Sequence, residues 1–197
     1  MKKTSLDTDL FFKTACLFEG GLIVVALVLG WLTHTEPFAN LHFSETALGL
    51  GVLATLPMLV MFFVLQQLPN LAVKKIRDLL LATLGPPLYR RHWTDLFILS
   101  SIAGFSEELL FRGVLQPWLE NSFNMMTGLI ASSLIFALVH AITPLYAILA
   151  MLIGVYLGIS LDYHGERNLL VPMVIHALYD FVDFIIILRN YKKSLIG

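Results

Sequence analysis

The sequence predicts an all-α fold: a polytopic transmembrane helix bundle of about six spans, plus a short amphipathic helix at the membrane interface. Composition is the first indication, because 57% of the 197 residues are hydrophobic and only 14% are charged, with a mean hydropathy of +0.79. Soluble domains are about one-quarter charged. The second indication is a series of long apolar segments, so the bilayer is the expected solvent for most of the chain.

Six apolar segments approach the roughly 20 residues needed to cross a bilayer as a helix. They are 13–33, 46–66, 94–117, 124–142, 144–162 and 168–189. The first is expected to be an uncleaved helix rather than a signal peptide, because its apolar run continues for a full span. The fourth and fifth are joined by a tight hairpin, where Pro144 suits the first turn of a helix.

The segment between the second and third spans predicts the amphipathic helix. Its apolar residues recur at helical spacing, at Val73, Ile76, Leu80 and Leu84. Its charged residues fall on the other side, so we expect a helix on the inner leaflet that ends before residues 85–87, Gly-Pro-Pro. An ordinary cytoplasmic loop is the alternative. The chain is then one integral membrane domain, with a two-span region at 1–93 and a four-span core at 94–197.

Basic residues indicate the orientation of the bundle. With the N-terminus inside, eleven of the 13 lysines and arginines fall on the inner side: Lys2, Lys3, Lys13, Lys74, Lys75, Arg77, Arg90, Arg91, Arg189, Lys192 and Lys193. Only Arg167 falls outside, and Arg112 lies within a span. This bias predicts a multi-pass protein with both termini cytoplasmic. A prokaryotic plasma membrane is the expected location. The net charge of −1 excludes the basic surface that a nucleic-acid partner requires.

Ionisable residues lie inside the predicted spans, where each costs roughly 2.5–3.5 kcal/mol on insertion scales. Glu108 and Arg112 are four residues apart, so they share a helix face and can pair. Glu107 points about 100° away from Glu108 and needs a partner from another helix. Span four offers His140, and span six offers His176 together with Asp180. A buried polar network that only holds the helices together is the alternative to a functional site.

The residue types indicate hydrolysis. A carboxylate in an apolar cavity, beside a histidine, can take a proton from water and deliver hydroxide to a carbonyl carbon. The remaining His and Asp can stabilise the oxyanion if they present protons to it. The same four residues, Glu107, His140, His176 and Asp180, could instead bind zinc. The sequence lacks the H-E-x-x-H zinc motif, and a nearby Arg112 would repel a cation, so no cofactor is expected.

Three motifs follow one another on successive spans: "EELLFR" at 107–112, "FALVH" at 136–140 and "HALYD" at 176–180. Together they resemble the CAAX protease and bacteriocin-processing (CPBP, Abi-type) intramembrane endopeptidases, which are related to type II CAAX prenyl endopeptidases. The resemblance covers about residues 94–185. It implies that Glu107 activates water with His140 as its partner. It also implies that His176 and residue 180 stabilise the oxyanion, and that Glu108 and Arg112 form a supporting pair.

The last motif departs from the family, because asparagine is common at the position of Asp180. An amide donates to an oxyanion directly, whereas a carboxyl group donates only when it is protonated. Asp180 could instead orient the ring of His176. The resemblance favours a metal-free enzyme that cuts a membrane-associated, prenylated or peptide precursor, with the bilayer and a peptide or membrane protein as its partners. A non-catalytic membrane scaffold or assembly factor that retains the fold is the alternative.

The charge bias makes a prediction about topology. Reporter fusions at Asn40, at Leu84 and at the C-terminus should report outside, inside and inside, because the basic residues flank the inner ends of the spans. The measurement is the activity of a compartment-specific reporter at each site. An outside signal at the C-terminus would mean that the chain crosses an odd number of times and that the hairpin at 140–144 is wrong.

Overall fold

The structure is a computed structural model that describes residues 2–162 and 165–196, with side chains from residue 8 onward. All secondary-structure elements in the described residues are helices, and no strand is present among them, which confirms the all-α class. Its helices are α1 (Lys2–Thr33), α2 (Glu45–Gln67), α3 (Leu71–Leu88), α4 (Trp93–Leu110), α5 (Gln116–Ser122), α6 (Met125–Val139), α7 (Pro144–Ser160) and α8 (Leu170–Ser194). A π-helical segment, Phe111–Leu115, joins α4 to α5 without a break.

Three described helical segments are long and apolar enough to cross a membrane: Thr8–Thr33 in α1, and the whole of α2 and α8. Helices α6 and α7 are also apolar but shorter, at 15 and 17 residues. At 1.5 Å per residue, each falls short of the roughly 30 Å hydrocarbon core. Many large apolar side chains on α1 and α2 are exposed, as expected for helices that face lipid. The molecule is a helical membrane bundle.

Local capping residues set several helix boundaries. Ser44 accepts a hydrogen bond from the backbone N–H of Ala47 at the start of α2, at 3.0 Å. Thr143 caps α7 in the same way by accepting from the N–H of Tyr146, with Pro144 in the first turn. This geometry confirms the short connection predicted between α6 and α7, since a proline at the first helical position loses no hydrogen bond.

The predicted end of the amphipathic helix is wrong. We expected α3 to stop before residues 85–87, but it continues through Pro86 and Pro87 to Leu88. Proline is compatible with helical φ, but each proline in this last turn removes an N–H donor to the carbonyl four residues earlier. Packing against the rest of the bundle holds this end of the helix in place. A Cβ on Gly85 would meet the Tyr191 ring of α8 at 2.4 Å, and Leu88 is fully buried. The loop alternative is therefore also wrong.

Helix α8 forms the centre of the bundle, packing against α4, α2 and α3. Small residues allow its closest approaches. A Cβ on Gly104 of α4 would lie 2.7 Å from the backbone nitrogen of Ala177 in α8. Likewise, a Cβ on Gly51 of α2 would lie 2.7 Å from Cβ of Val174. Such small-residue contacts are how membrane helices pack closely when the lipid gives no hydrophobic driving force.

The close contact at Gly104 gives a test of the packing. Gly104→Ala should lower stability by about 1–3 kcal/mol, because the added methyl group meets backbone atoms that cannot move aside. The measurement is thermal unfolding of the purified protein in detergent. Gly49→Ala is the matched control, since no atom lies within 4 Å of that Cβ position. Equal melting temperatures for the two variants would contradict the close packing of α4 on α8.

Candidate active site

The end of α4 and the π-helical segment carry three buried charged residues. Glu107 is 8% exposed, Glu108 is 0% exposed and Arg112 is 1% exposed. Arg112 lies inside the π-helical segment, directly after the α4 turn that carries both glutamates. A π-helical turn widens the helix locally and is frequent at functional sites. Here the widened turn carries the guanidinium group that pairs with Glu108.

Glu108 and Arg112 together connect three helices of the bundle. Arg112 Nη1 donates to Glu108 Oε1 at 2.9 Å, which confirms the predicted pair. The same oxygen lies 2.7 Å from His176 Nδ1 on α8. Arg112 Nη2 donates to the carbonyl of Gly154 on α7, at 2.7 Å. Hydrogen bonds between charged partners are about twice as strong as neutral ones, so this network fixes α4, α7 and α8 relative to one another.

Glu107 faces His140 across the helices. His140 Nε2 lies 3.5 Å from Glu107 Oε2, which is longer than a direct hydrogen bond. His140 Nδ1 lies 2.8 Å from the Phe136 carbonyl oxygen, so it must be the nitrogen that donates there. Phe136 also stacks on the His140 ring with a centroid separation of 4.3 Å. In a neutral ring, Nε2 is then the unprotonated nitrogen, and it points toward the Glu107 carboxyl group.

His176 has a carboxyl group near each ring nitrogen. Its Nδ1 contacts Glu108, and its Nε2 lies 3.5 Å from Asp180 Oδ2, one helical turn further along α8. The ring is buried at 6% exposure. A carboxylate near each nitrogen favours a ring that donates from both sides. Asp180 thus lies close to His176 Nε2, and its roles as an orienting group or as an oxyanion donor both stay predictions.

All four candidate residues line one cavity of about 330 Å³. Glu107, His140, His176 and Asp180 reach it from α4, from the end of α6 and from α8, as the sequence predicted. Their catalytic roles stay predictions. Most of the remaining wall is apolar and comes from α2, α3 and α8: Met58, Phe62, Val73, Ile76, Leu80, Tyr179 and Phe184. The polar groups thus sit in a mostly apolar cavity, where electrostatic interactions are stronger than in bulk water.

Sequence reasoning missed two carboxyl groups on the cavity wall, those of Glu19 on α1 and Asp183 on α8. Glu19 Oε2 and Glu107 Oε2 are both buried and have no hydrogen-bond partner among the described residues. The available signal was a single glutamate inside the first apolar run, whose insertion cost of roughly 2.5–3.5 kcal/mol calls for a compensating environment. Asp183 lies three residues after Asp180, so helical spacing placed it on the same face. Within residues 2–162 and 165–196, no three His, Cys, Asp or Glu side chains are grouped to hold a metal ion.

A second ionic cluster ties the loop before α8 to α5. Arg167 donates to Glu120 at 2.6 Å and to both carboxylate oxygens of Asp162 at 2.8 Å. These hydrogen bonds, chiefly those to Asp162, raise the pKa of the Arg167 guanidinium above its usual value. Glu120 is held in turn by Gln116 at 2.9 Å. The cluster fixes the chain just before α8 begins and so supports the helix that carries His176.

A helical membrane bundle with buried carboxylates and histidines around one cavity defines a class: polytopic membrane proteins with an intramembrane polar site. Residues 90–182, which contain all six candidate residues, match the sequence model of the family described as Type II CAAX prenyl endopeptidase Rce1-like. This match confirms the resemblance that the three motifs indicated, over the part of the chain that carries them. At the family level it supports a membrane-embedded CAAX-type protease.

One curated relative is the uncharacterized protein YpbD of Bacillus subtilis (strain 168). It is 33% identical over 94 residues, which cover 47% of this chain and 46% of YpbD. The chain therefore matches less than half the length of that relative. No solved structure matches the chain.

The network around Glu108 predicts a stability effect. Glu108→Gln leaves the buried Arg112 without its counter-charge, and breaking a buried pair typically costs about 3–5 kcal/mol. The expected result is a lower melting temperature and a lower yield of folded protein, measured by thermal unfolding and size-exclusion chromatography. Glu45→Gln, at an exposed position in the first turn of α2, is the matched control. A Glu108→Gln protein as stable as this control would contradict the structural role of the pair.

Proposed function

We propose that the protein is an intramembrane endopeptidase that hydrolyses a peptide bond with water activated by Glu107. The observation that carries the proposal is the pairing of the Glu107 carboxyl group with His140 Nε2, 3.5 Å apart on the wall of a largely apolar cavity. This is the pair of a general base and a neighbouring imidazole that water activation requires. The family match over residues 90–182 supports the same reaction class.

The reaction begins with a water molecule in the cavity that is hydrogen-bonded to both Glu107 and His140 Nε2. Glu107 takes its proton while the oxygen attacks the carbonyl carbon of the substrate, giving a tetrahedral intermediate without a covalent bond to the protein. The same proton then passes to the leaving amine as the carbon–nitrogen bond breaks. The bond from His140 Nδ1 to the Phe136 carbonyl keeps Nε2 directed at this water.

His176 and Asp180 are placed to stabilise the oxyanion. Glu108 holds His176 through Nδ1, so the N–H at Nε2 can point into the cavity toward the oxygen that becomes negative. Asp180, 3.5 Å from that nitrogen, adds a second donor when its carboxyl group is protonated. Preorganised donors of this kind lower the barrier most in a site with little water.

The donor set favours a reaction without a metal. A ring nitrogen that donates a hydrogen bond has no lone pair for a metal ion. His140 Nδ1 donates to a carbonyl, and His176 Nδ1 faces Glu108. Only His140 Nε2 and His176 Nε2 remain, and the buried positive charge of Arg112 lies close by. The contact between His176 Nε2 and Asp180 would have to break for zinc to bind to Glu107, His140, His176 and Asp180.

The substrate class follows from the cavity walls. Apolar side chains of α2, α3 and α8 line the cavity beyond the polar groups, which suits a lipid-linked, membrane-spanning or apolar peptide segment. We propose a prenylated protein, a peptide precursor or another membrane protein as substrate, and no nucleic acid. We place the protein in a prokaryotic plasma membrane. The basic-residue bias supports the orientation with both termini cytoplasmic.

The test of this function compares membranes that contain wild-type protein with membranes that contain Glu107→Gln. Loss of the base should slow cleavage by at least about 10²-fold, the usual cost of removing general-base catalysis. The measurement is quantitative mass spectrometry of peptide termini, in which a precursor should accumulate and a cleaved terminus should disappear. Glu45→Gln serves as the control for removal of a glutamate elsewhere.

The opposite result would favour the scaffold alternative. If Glu107→Gln is folded, present at wild-type amounts and leaves every peptide terminus unchanged, the polar site holds the bundle together and does not hydrolyse peptides. A loss of partner proteins from the membrane without any change in termini would have the same meaning.

Asp180 gives a separate prediction about the oxyanion. Asp180→Asn should remain active, because an amide supplies an N–H donor to the oxyanion and keeps an oxygen acceptor for His176. Asp180→Ala should lose about 10²–10³ in rate, the typical cost of a lost oxyanion donor. The measurement is the rate of precursor cleavage by each variant over a range of pH. An inactive but well-folded Asp180→Asn protein would show that the negative charge itself is required.

A further inference from the structure

Glu19 lies on α1, outside the residues that match the protease family. The neighbouring α1 residues Leu17 and Phe18 are 77% and 69% exposed, as expected for a surface that faces lipid. Glu19 is turned away from them and lines the same cavity as Glu107. The side chain is therefore part of the chamber in which the reaction is proposed to occur, although its helix contributes no motif.

The placement of Glu19 and Glu107 constrains how many protons the site holds. The two carboxyl groups line one largely apolar cavity, and the helices that carry them, α1 and α4, pack together. If both are ionised, Glu19 Oε2 and Glu107 Oε2 are buried oxygens without a hydrogen-bond donor. Two carboxylates in contact also repel strongly in an apolar site, so such pairs share one proton. One shared proton both removes the repulsion and provides the missing donor.

We propose that Glu19 is a positioning residue for Glu107, to which it hydrogen-bonds through a shared proton. Glu107 can accept a proton from water only when it is ionised. In that state Glu19 is the protonated partner and donates a hydrogen bond to the Glu107 carboxylate. The bond fixes the Glu107 carboxyl group from the side of α1, while His140 faces it at 3.5 Å from α6. This inference rests on the proposed role of Glu107 as the base. It makes the first helix part of the active site.

Infrared spectroscopy tests the contact without any substrate. The probe is the purified full-length protein in lipid nanodiscs, and the signal is the C=O stretch of protonated carboxyl groups. Glu19→Gln should remove a hydrogen-bonded carboxyl band, and Glu107→Gln should shift or remove the same band. Glu45→Gln, which removes an exposed glutamate, should leave the band in place. A Glu19→Gln spectrum identical to wild type, or a Glu19 band that does not respond to Glu107→Gln, would overturn the proposal.

Kinetics tests the consequence for catalysis. Glu19→Leu removes the donor while keeping an apolar surface suited to the membrane, so kcat should fall between about 10-fold and 100-fold with KM nearly unchanged. Glu19→Gln restores a donor and should recover most of that loss. Leu17→Ala, on the lipid-facing side of α1, controls for disturbance of the helix. Equal rates for Glu19→Leu and wild type would overturn the positioning role.

The two proposals fail in different ways. If Glu107→Gln cleaves precursors as fast as wild type, the proposed function is wrong, and the infrared spectra still decide whether Glu19 and Glu107 share a proton. If Glu107→Gln is inactive while Glu19→Leu is fully active, the function stands and only the role of Glu19 is refuted.

Discussion

The buried carboxylate of Glu108 is the group on which the rest of the site depends. One oxygen, Oε1, is hydrogen-bonded to both Arg112 and His176, and the second guanidinium nitrogen of Arg112 reaches the Gly154 carbonyl. These groups are almost completely buried, where an unpaired charge would be very costly. Because each charge compensates another, α4, α7 and α8 have one arrangement that satisfies them all. The site geometry is a consequence of that arrangement.

Close helix packing makes this charge network possible. Gly104 lets α4 approach the backbone of α8 at Ala177, one residue beyond His176 in the chain. The π-helical segment then carries Arg112 directly after the turn that bears the glutamates. Glu107, on the neighbouring face of α4, is left to meet His140 instead of Arg112. One helix thus separates a structural carboxylate from a carboxyl group that remains available for chemistry.

Sequence patterns predicted the contacts between residues that lie close together in the chain. The pair of Glu108 and Arg112 follows from a separation of four residues, and the start of α7 follows from its proline and capping threonine. The bond between Glu108 and His176 joins residues 68 apart, and no periodicity encodes it. Glu19 was missed for the same reason, since the cavity that it lines is formed mainly by other helices. The predicted end of α3 was wrong because packing against α8 outweighed the tendency of two prolines to end a helix.

The central claim is that Glu107 and His140 bind a water molecule in a site held in place by Glu108. An experimental structure in a lipid environment, at a resolution that shows ordered water, tests this most directly. We expect one water within hydrogen-bonding distance of both Glu107 and His140 Nε2, with Glu108 still bonded to Arg112 and His176. A metal ion bound by Glu107 and His140, or a Glu108 turned away from His176, would contradict it.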